Sequence, residues 1–175
     1  QDTDGRFSTE YYEAISTETY ILPTVASVNA TTKYNQISLT ATGTKGTNEV
    51  AKYYYSINNG TYVEGTNTYT FTGLNEKTTY NIKVKVADTQ GRISNVYETS
   101  LTTDEYVLPS ITNVTSSVTF KSVTLNVTSN NGTGNVVKYY YSKDDGSNYV
   151  ESNSSSYTFD DLTDETTFYL KVKVK

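Results

Sequence analysis

The chain has 175 residues, and none of them is Cys, His, Met or Trp. Any chemistry must therefore come from carboxylates, hydroxyls, phenols and amines. Thiol nucleophiles, imidazole bases, disulfides and the usual zinc and copper ligands are absent. The nearest approach to a ligand set is a pair of acidic turns, Asp2-Thr3-Asp4-Gly5 and Asp144-Asp145-Gly146. Neither completes the alternating acidic spacing of a calcium loop, and hairpin turns select Asp and Gly for backbone reasons alone. No Ser/Lys or carboxylate pair stands out. The residues predict no enzyme, no cofactor and no metal site.

Three further patterns invite a functional reading. Six Asn-x-Ser/Thr sequons, at Asn29, Asn59, Asn113, Asn126, Asn131 and Asn153, are candidate glycosylation sites. Ser and Thr together supply 50 residues and Asn 16, so composition alone produces sequons in this number. Lys52, Tyr54, Lys83 and Lys85, matched by Lys138, Tyr140, Lys171 and Lys173, predict an outward Tyr/Lys face. Such a face can stack on sugar rings, but it also serves as a soluble surface with Lys stems covering Tyr. The net charge of −5 disfavours nucleic acid and anionic lipid as partners. No run of apolar residues is long enough for a membrane span.

The elements that position these residues are strands. Tyr (18 copies) and Thr (32) dominate the composition, and both favour a pleated, half-buried surface. Self-comparison then finds a repeat. Lys52-Tyr53-Tyr54-Tyr55-Ser56 recurs as Lys138-Tyr139-Tyr140-Tyr141-Ser142, an offset of 86. Tyr20-Ile21-Leu22-Pro23 recurs as Tyr106-Val107-Leu108-Pro109, and Gly5-Arg6 recurs as Gly91-Arg92, at the same offset. By Lys171-Val172-Lys173-Val174, which repeats Lys83-Val84-Lys85-Val86, the offset has grown to 88, placing two extra residues around Asn148 to Ser156. Within the first repeat, strands are expected over Thr24–Ala30, Gln36–Thr42, Val50–Ile57, Thr61–Glu64, Asn67–Thr72, Tyr80–Val86 and Ile93–Thr103, with Asn58-Asn59-Gly60 as a hairpin turn. Seven short strands with regular turn signals predict a β-sandwich.

At Leu74-Asn75-Glu76-Lys77-Thr78-Thr79-Tyr80 the chain resembles the fibronectin type III family. The resemblance implies that Leu74 and Tyr80 form a tyrosine corner, with the Tyr80 hydroxyl bonding to nearby backbone. Phe168 replaces that tyrosine in the second repeat. The implied fold class is all-β: tandem fibronectin III-like or immunoglobulin-like antiparallel sandwiches of a microbial extracellular or surface protein.

The expected division is a donor segment at residues 1–19, a complete sandwich at 20–106 and an incomplete one at 107–175. By alignment the second sandwich lacks its last strand, leaving the acceptor strand Phe168, Leu170, Val172 and Val174 with an open edge. Residues 1–19 match the missing piece, with Phe7, Tyr11 and Ile15 at the positions of Ile93, Tyr97 and Leu101. Gln1 and Lys175 both align with Ala87, so the fragment begins at the point in the repeat where it ends. The expected function is a structural subunit of an extracellular filament or surface fibre. Its partners are copies of itself head-to-tail, joined by β-strand complementation, or adjoining repeats of one continuous array. The alternative is an adhesin stalk or carbohydrate-binding spacer with a glycan ligand.

Overall fold

A computed structural model describes all residues 1–175 and contains strands, turns and no helix. The chain divides into two compact units, Gln1–Thr103 and Asp104–Lys175. The boundary falls at Thr103 because that residue is tied into the first unit. Its hydroxyl donates to the Asn75 carbonyl at 2.6 Å and accepts from the Thr78 N–H at 3.1 Å.

The first unit holds β1 (Thr24–Lys33), β2 (Gln36–Thr44), β3 (Val50–Ile57), β4 (Val63–Gly65), β5 (Thr68–Thr72), β6 (Thr79–Asp88) and β7 (Tyr97–Thr102). One sheet runs β1-β2-β5 and the other β4-β3-β6-β7, all antiparallel. This three-plus-four order is that of a fibronectin III-like sandwich. Alternation puts Ile37, Leu39 and Ala41 of β2 against Tyr55 of β3 and Tyr80, Ile82 and Val84 of β6, all buried.

Tyrosine does much of the filling. The Tyr55 ring stacks on Tyr69 at 5.0 Å, and Tyr69 meets Phe71 edge-on at 4.9 Å. Burial is tolerable because the Tyr55 hydroxyl donates to the Thr66 carbonyl at 2.8 Å. Asn58 and Asn59, at φ 49° and 59°, supply the left-handed turn joining β3 to β4.

The second unit repeats the plan with β8 (Ser110–Val118), β9 (Val123–Asn130), β10 (Tyr139–Ser142), β11 (Val150–Ser152), β12 (Ser156–Phe159) and β13 (Lys171–Val174). Its sheets run β12-β9-β8 and β11-β10-β13. Tyr141 takes the place of Tyr55, stacking on Tyr157 at 5.1 Å and donating to the Ser154 carbonyl at 2.9 Å. Cross-strand pairing splits the two extra residues. Tyr55 faces Val63 whereas Tyr141 faces Val150, so one falls in the β10–β11 loop. The other lies between Ser152 and Tyr157, since Tyr69 faces Leu39 and Tyr157 faces Leu125.

Several strand ends differ from expectation by one or two residues, and two differ by more. The Ile93–Thr103 strand is a ladder only over Tyr97–Thr102, with Ile93 joined to Ala87 by a single bridge. Ser94 is the cause. Its hydroxyl accepts from the Val86 N–H at 3.0 Å and donates to the Asn95 carbonyl, substituting for ladder bonds and turning Ile93 and Val96 outward. β1 continues to Lys33, three residues beyond the expected Ala30, because Thr31, Thr32 and Lys33 stay paired with Ser38, Ile37 and Gln36.

Burial, with the neighbouring Tyr53 second, pushes the Tyr55 phenol up to about 12. The fold favours its neutral form. That contribution to stability is complete below the ordinary tyrosine value of about 10 and is lost as pH rises from there towards 12. In an absorbance titration at alkaline pH, Tyr55 is expected to ionise late, together with unfolding of the first unit. Tyr55→Phe should remove that late step, and an unchanged titration of the variant would contradict the assignment.

Candidate functional site: an open sheet edge and its matching segment

The distinctive site is an edge rather than a pocket. In the first unit β6 is paired on both sides. β3 lies along one edge, and β7 along the other in the register Tyr80↔Leu101, Ile82↔Thr99 and Val84↔Tyr97. Every main-chain group of a central strand needs such a partner. Under this cover Tyr80 is 8% exposed, and Ile82, Val84 and Val86 are 0% exposed.

In the second unit β13 pairs with β10 alone and forms the edge of its sheet. Phe168, Leu170, Val172 and Val174, the counterparts of those four residues, are only half-buried. β8 is similarly uncovered. Val28 of β1 packs on the first core, whereas its counterpart Val114 is 42% exposed. A groove of about 290 Å³ opens between Val118, Phe120, Val123, Leu162 and Phe168, at the end of the sandwich where Leu101 and Thr103 close the first unit.

Gln1–Thr19 belongs to no sheet. Phe7, Tyr11 and Ile15 are 83%, 86% and 82% exposed. At the 86-residue offset this segment corresponds to Ala87–Glu105. The inward row of β7 and its continuation is Tyr97, Thr99, Leu101 and Thr103, half-buried to buried, and it maps to Tyr11, Glu13, Ile15 and Thr17. Glu13 in place of Thr99 is the one residue of this row ill-suited to an interior. Phe7 maps to Ile93, which lies outside the core, beside Tyr54, Tyr62 and Lys85. The template position of Phe7 is therefore a surface seat, unlike those of Tyr11 and Ile15.

One part of the segment is already folded. Asp2 N–H donates to the Arg6 carbonyl at 2.8 Å, Gly5 N–H donates to the Asp2 carbonyl at 3.1 Å, and the Asp2 carboxylate accepts from Arg6 N–H at 2.9 Å. The turn from β6 towards β7 has the same bonds. Asp88 N–H donates to the Arg92 carbonyl, Gly91 N–H donates to the Asp88 carbonyl, and the Asp88 carboxylate accepts from Arg92 N–H, each at 3.0 Å. Gly5 and Gly91 hold φ 80° and 78°, where a side chain would be strained.

The remaining candidates have structural work to do. Leu74 packs on the first core, and the Tyr80 hydroxyl accepts from the Asn75 N–H at 2.9 Å, closing the tyrosine corner. The Asp144 carboxyl is lowered to about 2 by hydrogen bonds from the Ser142 hydroxyl and from the N–H and side-chain amide of Asn148, so its oxygens are engaged in turn formation. On the Tyr/Lys face Lys52 pairs with Glu64 at 3.0 Å, Lys83 with Glu98 at 3.6 Å and Lys138 with Glu151 at 2.6 Å. The Lys138 bond holds Glu151 below the usual carboxylate range. Lys85 covers the Tyr62 ring at 4.2 Å, and Lys173 covers Tyr149 at 4.0 Å. All six sequon asparagines are exposed.

No family model matches the sequence, and no curated protein matches it. Among solved structures it aligns with the central fibronectin-III array of RIM-binding protein, at 14% identity and a TM-score of 0.38. That alignment covers 89% of this chain and 63% of the array. The strand order itself makes the chain a tandem of antiparallel fibronectin III-like β-sandwiches, the second without a strand along the outer edge of β13.

Proposed function

We propose that this chain is a structural subunit of an extracellular fibre, in which residues 1–19 of one copy complete the second sandwich of the next. The observation that carries the reading is the open edge of β13 beside half-buried Phe168, Leu170 and Val172. A segment with the inward pattern of β7 lies unpaired elsewhere in the same sequence. Strand addition would supply the missing main-chain bonds and cover the apolar row in a single step. The donor and acceptor surfaces are different parts of the chain, so the contact is heterologous, and repetition that does not close into a ring gives a filament.

The reading assigns no catalysis to the chain. The glycan-binding spacer is the weaker alternative, because the rings of Tyr62 and Tyr149 are occupied by lysines and three cations of the face by glutamates.

Negative-stain microscopy of the 1–175 chain at micromolar concentration is expected to show filaments repeating every two sandwiches. Deletion of residues 1–19 should abolish them. Monomers at every concentration, or filaments from the deleted chain, would overturn the reading. Two point variants should act in opposite directions. Ile15→Asp removes an aliphatic group that the assembly would bury, worth about 1.5–3 kcal/mol, which weakens assembly roughly 10- to 100-fold. Glu13→Thr restores the residue type of β7 at that inward position and strengthens assembly several-fold.

A further inference from the structure

The first unit contains a contact that ties the chain entering the sandwich to the turn leading towards β7. The Tyr20 hydroxyl donates to the Asp88 carboxylate and accepts from the Asn48 side-chain amide at 3.1 Å. The Arg92 guanidinium lies 3.5 Å from the centre of the Tyr20 ring. One phenol thus grips both ends of the Asp88–Arg92 turn, through a charge-assisted hydrogen bond at one end and a cation–π contact at the other. The grip is long-range, joining residues 68 apart in sequence. Asp88 ends β6 and Arg92 starts the path to β7, so the grip spans the whole turn between them.

All three residues recur at the same offset: Tyr20 as Tyr106, Asp88 as Asp2, and Arg92 as Arg6. They are distributed between the two partners of the proposed junction, with Tyr106 on the accepting unit and Asp2 and Arg6 on the donor segment. The donor turn is already folded through its own backbone bonds, so docking it orders little additional chain. The Arg6 side chain is 78% exposed, with an Asp4 carboxylate at 3.9 Å, a solvated pair that costs little to exchange. A second seat follows in the same way. Ile93 lies beside Tyr54, Tyr62 and Lys85, and Phe7 takes its place beside Tyr140, Tyr149 and Lys173.

We infer that assembly is specified by a tyrosine clamp. Tyr106 of the accepting copy holds Arg6 against its ring and Asp2 at its hydroxyl, Phe7 seats on the Tyr140–Tyr149–Lys173 surface, and the donor strand is thereby locked in the register Phe168↔Ile15, Leu170↔Glu13 and Val172↔Tyr11. This rests on the strand-complementation reading above and adds to it a residue-level partner for each anchor. The need is physical. An edge strand offers the same main-chain groups at every position, so hydrogen bonds alone tolerate a two-residue slip that keeps the same side chains inward. A side-chain clamp outside the ladder distinguishes the two registers.

The absence of native cysteines allows the register to be read by disulfide trapping. Asn81 faces Ser100 across β6 and β7, so their counterparts Tyr169 and Ala14 should face each other between copies. The Ala14→Cys/Tyr169→Cys chain is expected to oxidise into a covalent ladder of intermolecular dimers and higher species. The slipped pairs Ala14→Cys/Lys171→Cys and Tyr12→Cys/Tyr169→Cys should cross-link at least tenfold more slowly. Arg6→Ala and Tyr106→Leu should each weaken assembly about tenfold, act non-additively when combined, and allow the slipped pairs to cross-link. If filaments form but either variant leaves both affinity and register unchanged, the clamp is overturned while strand complementation stands. If no copy-to-copy cross-link forms and no filament appears, both fail together.

Discussion

A strand inside a sandwich has two edges of N–H and C=O groups and one apolar face, and all three must be covered. The contrast between β6 and β13 turns on this constraint. With β7 in place, the β6 row Tyr80, Ile82, Val84 and Val86 is almost fully buried. Without an equivalent strand, Phe168, Leu170, Val172 and Val174 remain half-buried and Val114 on the opposite sheet is exposed. Two diverged copies of one repeat thus form an internal comparison, one with a strand on each side of its Lys-Val-Lys-Val strand and one with a strand on a single side.

The rest of each unit holds because its core is self-sufficient in polar as well as apolar terms. Tyr55 and Tyr141 are large enough to fill the space between sheets without tryptophan, and each donates its hydroxyl to a carbonyl at 2.8 or 2.9 Å. Stacking on Tyr69 and Tyr157 extends this core into the facing sheet. The same economy explains the surface. Outward lysines sit over tyrosine rings or beside glutamates, so a tyrosine-rich chain remains hydrated.

Much of this is legible in the sequence. The 86-residue repeat, the alternation of Ile37, Leu39 and Ala41, and the Asn58-Asn59-Gly60 turn each have a local physical cause that appears as a pattern in sequence. The apolar character of Ile93 signals a strand position, whereas the structure turns it outward next to Ser94, whose hydroxyl accepts from the Val86 N–H. The Tyr20–Asp88–Arg92 grip was visible only in pieces, as separate repeats of Tyr20-Ile21-Leu22-Pro23 and of Gly5-Arg6. Nothing in local patterning says that residues so far apart meet.

The most direct test of the proposal that residues 1–19 supply a strand along the outer edge of β13 is thermal unfolding of a chain without those residues, titrated with a peptide of Gln1–Thr19. Two transitions are predicted, the lower belonging to the second unit. Peptide should raise the lower one progressively, by about 2.7 kcal/mol at a hundredfold excess over its dissociation constant, and leave the upper one in place. A lower transition that does not respond to peptide, or one that moves no more than the upper, would contradict the account.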